Sequence, residues 1–154
     1  MDEDFLRETI RLADESIANG GGPFGAVVVR GGEIVGRGNN RVTLDNDPTA
    51  HAEVRAIRDA CRTLGDFQLS GCELYVNCEP CPMCLSAAYW ARLDAVWYAA
   101  EATDAAAVGF DDALIREELQ RPPAERRLPM RQALRDEALE TFRRWQALEE
   151  KIEY

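Results

Sequence analysis

The apolar positions near the N-terminus follow first a helical and then a strand pattern. Apolar side chains recur every three or four positions up to Ile17, and residues 19–23 then read Asn-Gly-Gly-Gly-Pro, a run suited to a helix end and a turn. Two β-prone runs, 24–30 and 33–38, come next, joined by a Gly-Gly dipeptide that supplies the positive φ angles of a tight hairpin. We therefore predict a helix followed by two antiparallel strands.

After a polar loop, helical and strand patterns alternate. An amphipathic helix is predicted up to Leu64, and its first turn holds Thr49, His51 and Glu53. Alternation of helices and strands favours an α/β sandwich whose later strands are parallel and whose site lies at strand ends. The elements predicted after this helix are a strand at 73–77, a helix at about 81–91 and a strand at 95–100.

The C-terminal pattern is helical and interrupted by prolines. Pro122-Pro123 ends a short helical segment, and a final helical stripe runs from Leu134 to Leu148. The whole chain, 154 residues long, fits one compact domain, so we predict a single domain over residues 1–154.

Charge and composition exclude several classes of protein. The N-terminus is acidic and lacks the basic and apolar regions of a signal peptide, and no apolar run approaches membrane-spanning length, so we expect a cytoplasmic protein with no membrane partner. The net charge of -10 disfavours a nucleic-acid partner, because such binding depends on Lys and Arg neutralising phosphates.

The five cysteines and the single histidine indicate a metal site. His51-Ala52-Glu53 is followed, after a predicted strand, by Pro80-Cys81-Pro82-Met83-Cys84, which is the H-x-E and P-C-x-x-C signature of zinc deaminases. His51, Cys81 and Cys84 supply three ligands for one Zn²⁺ per chain and leave the fourth tetrahedral position for water, as in catalytic zinc sites.

Two interpretations without catalysis compete with the open catalytic zinc site. Cys78 could be the fourth ligand of a closed structural zinc site, but Glu53 would then have no role and no water would be activated. His51 could also be a core histidine with no metal. Cys61 and Cys72 are typical of small buried apolar residues.

An open zinc site of this kind performs hydrolysis. Zinc lowers the pKa of a bound water and yields a hydroxide that attacks an electron-poor carbon bearing an amino group. Glu53 can carry the proton from the water to a ring nitrogen and then help to protonate the departing ammonia. No second histidine competes for the role of base.

Beyond this motif, the chain resembles the bacterial guanine deaminases of the cytidine deaminase-like superfamily over nearly its whole length. The zinc motif alone is shared with cytidine, cytosine and tRNA adenosine deaminases, so the narrower resemblance depends on other segments. The resemblance implies a three-layer α/β/α fold with a mixed, roughly five-stranded sheet, and conversion of guanine to xanthine and ammonia. The segments that carry it are residues 21–27, 49–54, 78–84, 89–92, 103–112 and the terminal Glu153-Tyr154.

The resemblance also implies roles for further residues. Asp112 corresponds to a second acid/base group, although an Asp at this place could equally be a helix N-cap. The family further implies a homodimer whose C-terminal segments are exchanged, so that the terminal aromatic closes the partner's site. The residues placed around the purine substrate are Phe24, Asn40, Ala52, Trp90 and Tyr154.

Other deaminases and one non-enzymatic role remain as alternatives. A guanosine deaminase or an aminotriazine deaminase shares much of the pattern. A tRNA adenosine deaminase fits less well, because it must hold a polyanion. A noncatalytic zinc-stabilised binding module would not require Glu53.

Overall fold

The computed structural model describes residues 1–154, and the first of its two compact units, Met1–Asp112, is built on one β-sheet. The sheet has the strand order β2-β1-β3-β4, with antiparallel pairs on both sides of β1 and a parallel pair between β3 and β4. The strands are β1 (Gly25–Arg30), β2 (Glu33–Asn39), β3 (Cys72–Cys78) and β4 (Ala95–Ala100).

The other regular elements of the chain are seven α-helices and one 3-10 helix. The second unit, Ala113–Tyr154, contains helices only. The helices are α1 (Glu3–Ala18), α2 (Val42–Asp45), α3 (Ala52–Leu64), α4 (Pro82–Trp90), α5 (Ala102–Ala107), α6 (Ala113–Gln120) and α7 (Arg135–Gln146), with a one-turn 3-10 helix at Pro123–Glu125.

The α/β fold with helices on both faces of a mixed sheet is as predicted, but the expected number of strands is wrong. The sheet has four strands, not five. After β4 the chain turns directly into α5, and the next apolar residues, in α6, are spaced for a helix, so no fifth strand forms. The prediction of one domain over residues 1–154 stays a prediction.

The turn chemistry predicted for the hairpin is present. Gly31 and Gly32, between β1 and β2, have φ angles of 58° and 84°, which residues with a side chain seldom adopt. The predicted start of the second major helix was too early, because α3 begins at Ala52. Thr49 lies before it, where its N–H and hydroxyl both donate to the Asp47 carboxylate and so favour a turn instead of a helix.

Alternation along the strands divides the core between the two faces of the sheet. Val27 and Val29 point to the face that α1 covers, where Tyr75 packs edge-on against Phe5 with ring centroids 5.2 Å apart. Ala26 and Val28 point to the opposite face. The buried residues on that opposite face include Ala52, Ala56 and Ala60 of α3, Leu74 and Val76 of β3, and Ala88 of α4.

Small residues allow α3 to lie very close to the sheet. A Cβ on Gly38 of β2 would stand 2.1 Å from the carbonyl oxygen of Ala52, and one on Gly36 would stand 2.4 Å from that of Ala56. Only a bare backbone fits at such distances. The first turn of α3 is therefore held in place by the glycines of β2.

The second unit differs in having no buried residue. α6 and α7 are amphipathic, but their apolar side chains are exposed or half-exposed. Exposed ion pairs run along both helices, including Arg121 with Glu117 and Arg143 with Glu140. None of the helices of the protein is both long and apolar enough to span a membrane.

Candidate active site

Two helix N-termini meet at the predicted zinc ligands. His51 is the N-cap of α3, and Cys81 is the N-cap of α4, with Cys84 in the first turn of the same helix. The His51 Nδ1 lies 3.6 Å from the Cys81 Sγ and 3.4 Å from the Cys84 Sγ. All three donor atoms lie within 4.8 Å of one another. One ion can therefore contact all three.

The local sequence explains why the cysteines stand together. Pro82 occupies the first position of α4, where its missing N–H is not needed and its fixed φ angle starts the helix. Cys81 and Cys84 are three positions apart across this first turn, so their side chains are neighbours. The positive end of the helix dipole favours thiolates there.

The electrostatics of the cluster favour a cation. A hydrogen bond from Cys84 and the nearby His51 imidazole lower the pKa of Cys81 to about 4, against the opposing effect of burial. The hydrogen bond between Cys84 and Cys81, together with burial, raises the pKa of the Cys84 thiol. The hydrogen bond to Cys81 likewise raises the pKa of His51. One thiolate and an adjacent imidazole form the soft donor set that zinc prefers, and a second thiolate follows when a metal displaces its proton.

Glu53 lies beside this cluster in the first turn of α3. It is only 8% exposed, and burial raises the pKa of its carboxyl. Because burial disfavours the charged carboxylate, Glu53 takes up a proton more easily here than it would in water. This is the behaviour required of a proton carrier.

Cys78 lies outside the group of three donors. It is the last residue of β3, it is buried, and its thiol donates to the carbonyl of Glu101 at 3.6 Å. Burial raises the pKa of Cys78, so it stays a neutral thiol. This arrangement speaks against a closed site with four protein ligands.

Two of the residues expected around the substrate belong to the apolar cluster on the face that α3 covers, and a third, Asn40, is buried directly after β2. Ala52 is fully buried next to His51, and half-buried Phe24 packs against the same apolar cluster. The Phe24 ring meets Phe110 edge-on, with centroids 4.9 Å apart. Asn40 is buried, and its Oδ1 accepts the N–H groups of neighbouring residues at 3.3 Å.

The other three expected site residues are exposed or half-buried. Trp90 ends α4, at the opposite end from the cysteines, and is 63% exposed. Asp112 is half-buried directly before α6. Tyr154 is the last residue and is 75% exposed. Their roles stay predictions.

Two polar residues that hydrogen-bond to the backbone at Asn40 and beside Phe24 were not singled out by sequence reasoning. Ser16 of α1 is buried and donates to the backbone carbonyl of Asn40 at 2.7 Å. Asn77 of β3 bonds with its side chain to the backbone on either side of Phe24. The only sign of these two residues in the sequence was that each is polar within an otherwise apolar helix face or strand.

The comparison with protein-family models matches residues 1–100 to the cytidine and deoxycytidylate deaminase zinc-binding region. The chain belongs to this deaminase family. The matched segment contains His51, Glu53, Cys81 and Cys84, so the family's zinc-binding region coincides with the cluster described above.

Within the deaminase family, the similarity to one protein extends over the full length. Guanine deaminase of Bacillus subtilis (strain 168) is 54% identical over 153 residues, covering 99% of this chain and 98% of the relative. The crystal structure of the Bacillus subtilis guanine deaminase superimposes with a TM-score of 0.96, covering 100% of this chain and 99% of that one.

Other members of the family are similar over a shorter part. A tRNA-specific adenosine deaminase of Aquifex aeolicus is 45% identical over 98 residues, or 64% of this chain and 65% of the relative. The structure of a guanine deaminase from Nitrosomonas europaea has a TM-score of 0.70 at 34% identity, covering 73% of this chain and 65% of that one.

Proposed function

We propose that this protein is a zinc-dependent guanine deaminase, which converts guanine and water to xanthine and ammonia. The observation that carries the proposal is the similarity to the Bacillus subtilis guanine deaminase over the full length, including the C-terminal segment. The tRNA adenosine deaminase relative of Aquifex aeolicus matches 64% of the chain. The net charge of -10 also disfavours a tRNA substrate.

The donor set of His51, Cys81 and Cys84 fits one zinc ion per chain. Three protein ligands of this kind leave a tetrahedral position open. When bound there, zinc lowers the pKa of a coordinated water and so supplies the nucleophile for the carbon that carries the amino group.

Glu53 moves the protons of the reaction. Its carboxylate takes a proton from the attacking water and delivers it to the ring nitrogen next to the attacked carbon. Glu53 then helps to protonate the amino group, which leaves as ammonia. Its buried position beside the ligands supports this role, because burial raises the pKa of the carboxyl and so makes it easier for Glu53 to take up the proton. We assign to Asp112 the part of a second proton carrier for the departing amino group.

The walls of the proposed purine pocket are formed by apolar and amide groups. The half-buried ring of Phe24 offers an apolar surface to the flat base, and Ala52 and Trp90 belong to the same proposed set. Because the Asn40 Oδ1 already accepts two backbone N–H groups, its Nδ2 is the atom that can donate to an acceptor on the base edge.

We further propose a homodimer with exchanged C-terminal segments, in which Tyr154 closes the partner's site. The support is the second unit, which has no buried residue although α7 and the segment after it carry large apolar side chains. A segment of this length does not form a stable core alone, and exposed apolar stripes of this size usually face a partner. Sedimentation at several protein concentrations tests the proposal: a monomer throughout would refute it.

The substrate is tested by ammonia release from guanine, guanosine, adenine, cytosine and cytidine, with zinc content measured on the same sample. We expect guanine to have the highest kcat/KM. A preference for guanosine would instead indicate the nucleoside deaminase alternative. Fractionation of cells checks the expected cytoplasmic location, with recovery in the membrane pellet as the contrary result.

A further inference from the structure

The side chain of Asn77 makes two hydrogen bonds to the backbone of residues 23–25, here called the 23–25 loop. Its Oδ1 accepts from the N–H of Gly25 at 2.9 Å, and its Nδ2 donates to the carbonyl of Pro23, also at 2.9 Å. Phe24 lies between these two partners. A single amide group thus bonds to the residue before Phe24 and to the residue after it.

The two bonds continue the pairing of β1 and β3 beyond its last backbone pair. That ladder runs from Arg30 opposite Cys72 to Ala26 opposite Val76. One position further, the Asn77 side chain replaces the backbone as the partner of β1. On the other side, Gly25 still pairs with β2. The loop is therefore held from two strands, and one of these attachments depends on the identity of a side chain.

The remaining contacts of Phe24 make its ring dependent on this loop. Its N–H donates to the carbonyl of Gly22 at 2.9 Å, and its carbonyl accepts from the N–H of Asn40 at 2.9 Å. The ring itself is only half-buried and has Phe110 as its aromatic neighbour. Because the half-buried ring packs against the apolar cluster on one side only, its position also depends on the backbone that Asn77 helps to hold.

We propose that Asn77 is a positioning residue for substrate binding, which holds the 23–25 loop so that the Phe24 ring meets the purine in one place. This inference rests on the proposed function, since it takes the assignment of Phe24 to the pocket from there. The zinc ligands and Glu53 are carried by α3 and α4 and not by this loop. Loss of Asn77 therefore weakens binding of the base more than it slows the chemical step.

The test compares Asn77→Leu, which keeps the size of the side chain and removes both bonds, with the unchanged protein. We expect KM for guanine to rise on the order of tenfold, because misplaced binding groups are costly, while kcat changes by less than about threefold. Zinc content should stay at one per chain. The matched control is Asn19→Leu, since the exposed Asn19 side chain donates only to the carbonyl of Glu15 at the end of α1. Its KM should not change.

A double-mutant cycle with Phe24→Leu separates positioning from a general loss of stability. If Asn77 acts through Phe24, replacing Asn77 in the Phe24→Leu background should add little to KM, because the ring to be positioned is gone. Exchange of the Gly25 amide hydrogen should also be faster in Asn77→Leu. Where Asn77→Leu does not fold, Asn77→Ser replaces it in the cycle, since Ser is too short to make both bonds.

The positioning role would be overturned by an unchanged KM, by a rise in KM accompanied by an equally large fall in kcat, or by full additivity in the cycle. These results are distinct from a failure of the proposed function. If the unchanged protein carries zinc but does not deaminate guanine, the proposed function is wrong and the role of Asn77 towards a purine falls with it.

Discussion

The two compact units bury their side chains to very different extents. Met1–Asp112 has apolar clusters on both faces of its sheet, and its buried polar residues, such as Ser16 and Asn40, have hydrogen-bond partners. Ala113–Tyr154 has helices with apolar stripes but no buried residue. The first unit buries the apolar side chains of its sheet and helices, whereas the large apolar side chains of the second unit are mostly exposed.

This difference separates the residues of the zinc site from the segment that we propose to close the partner's site. The zinc ligands and Glu53 lie at the starts of α3 and α4, and α3 is held by close packing on β2. Tyr154 lies at the end of the unit that lacks a core. We therefore expect changes in the first unit to remove metal, chemistry or folding, and changes in the second to affect the enclosure of the substrate.

The largest effect should come from replacing a zinc ligand. Cys81→Ser should lose the metal, and turnover should fall by at least ~10³-fold, because zinc contributes several kcal/mol and each ~1.4 kcal/mol is tenfold in rate. Metal analysis and guanine turnover on one sample check this. Cys78→Ser is the matched control, since the Cys78 thiol bonds to the Glu101 carbonyl instead. Loss of zinc in Cys78→Ser with retention in Cys81→Ser would reverse the assignment.

Replacing the proton carrier should have the next largest effect. Glu53→Gln keeps the size of the side chain and removes its ability to move a proton, so turnover should fall by at least ~10²-fold while zinc stays bound. Kinetics with metal analysis provide the measurement. Glu33→Gln, at the exposed start of β2, should leave turnover unchanged. Near-normal turnover of Glu53→Gln would show that another group carries the proton.

The difference in burial predicts that a Leu→Ala substitution lowers the free energy of unfolding more in the first unit than in the second. Leu74 is 0% exposed, so Leu74→Ala should lower the free energy of unfolding by about 2–5 kcal/mol. Leu128 is 76% exposed, and Leu128→Ala should cost less than about 0.5 kcal/mol. Denaturant unfolding measures both, at a protein concentration at which the chain is monomeric. Equal losses would mean that the two units are packed alike.

Removal of the chain end should have the smallest effect. Deletion of residues 152–154 removes Tyr154, the residue that we propose as an aromatic lid. We expect guanine turnover to drop on the order of tenfold with folding and zinc content retained, because a site open to water has weaker electrostatics. Mixing the truncated chain with Asp112→Ala should restore some activity through hybrid dimers. Normal turnover of the truncated enzyme, or hybrids no better than the parents, would contradict the shared site.

Much of the first unit was predictable because its local signals agree with its tertiary structure. The Gly-Gly turn, the strand alternation and the helix around Ile57 each agree with the buried pattern. The zinc ligands were predictable because His51-x-Glu53 and Pro80-Cys81-x-x-Cys84 are two short motifs, and each motif lies at the start of a helix. The start of α3 was misplaced because Asp47 draws Thr49 into a turn, a competition that periodicity does not register.

Other features could not be predicted because they depend on contacts between residues far apart in the sequence. Asn77 bonds to backbone groups 52 and 54 positions away, and Ser16 to one 24 positions away. The close approach of α3 to Gly38 likewise depends on tertiary packing. The number of strands was wrong because the resemblance supplied it, whereas the spacing of apolar residues after β4 indicates helices.

The most direct test of the central claim is the conversion of guanine by the full-length protein before zinc removal, after chelation and after zinc is restored. The account predicts one xanthine and one ammonia for each guanine consumed, loss of turnover on chelation, and recovery with zinc in the unchanged protein but not in Glu53→Gln. If the protein holds one zinc per chain and leaves guanine unchanged, the assignment as a guanine deaminase is wrong.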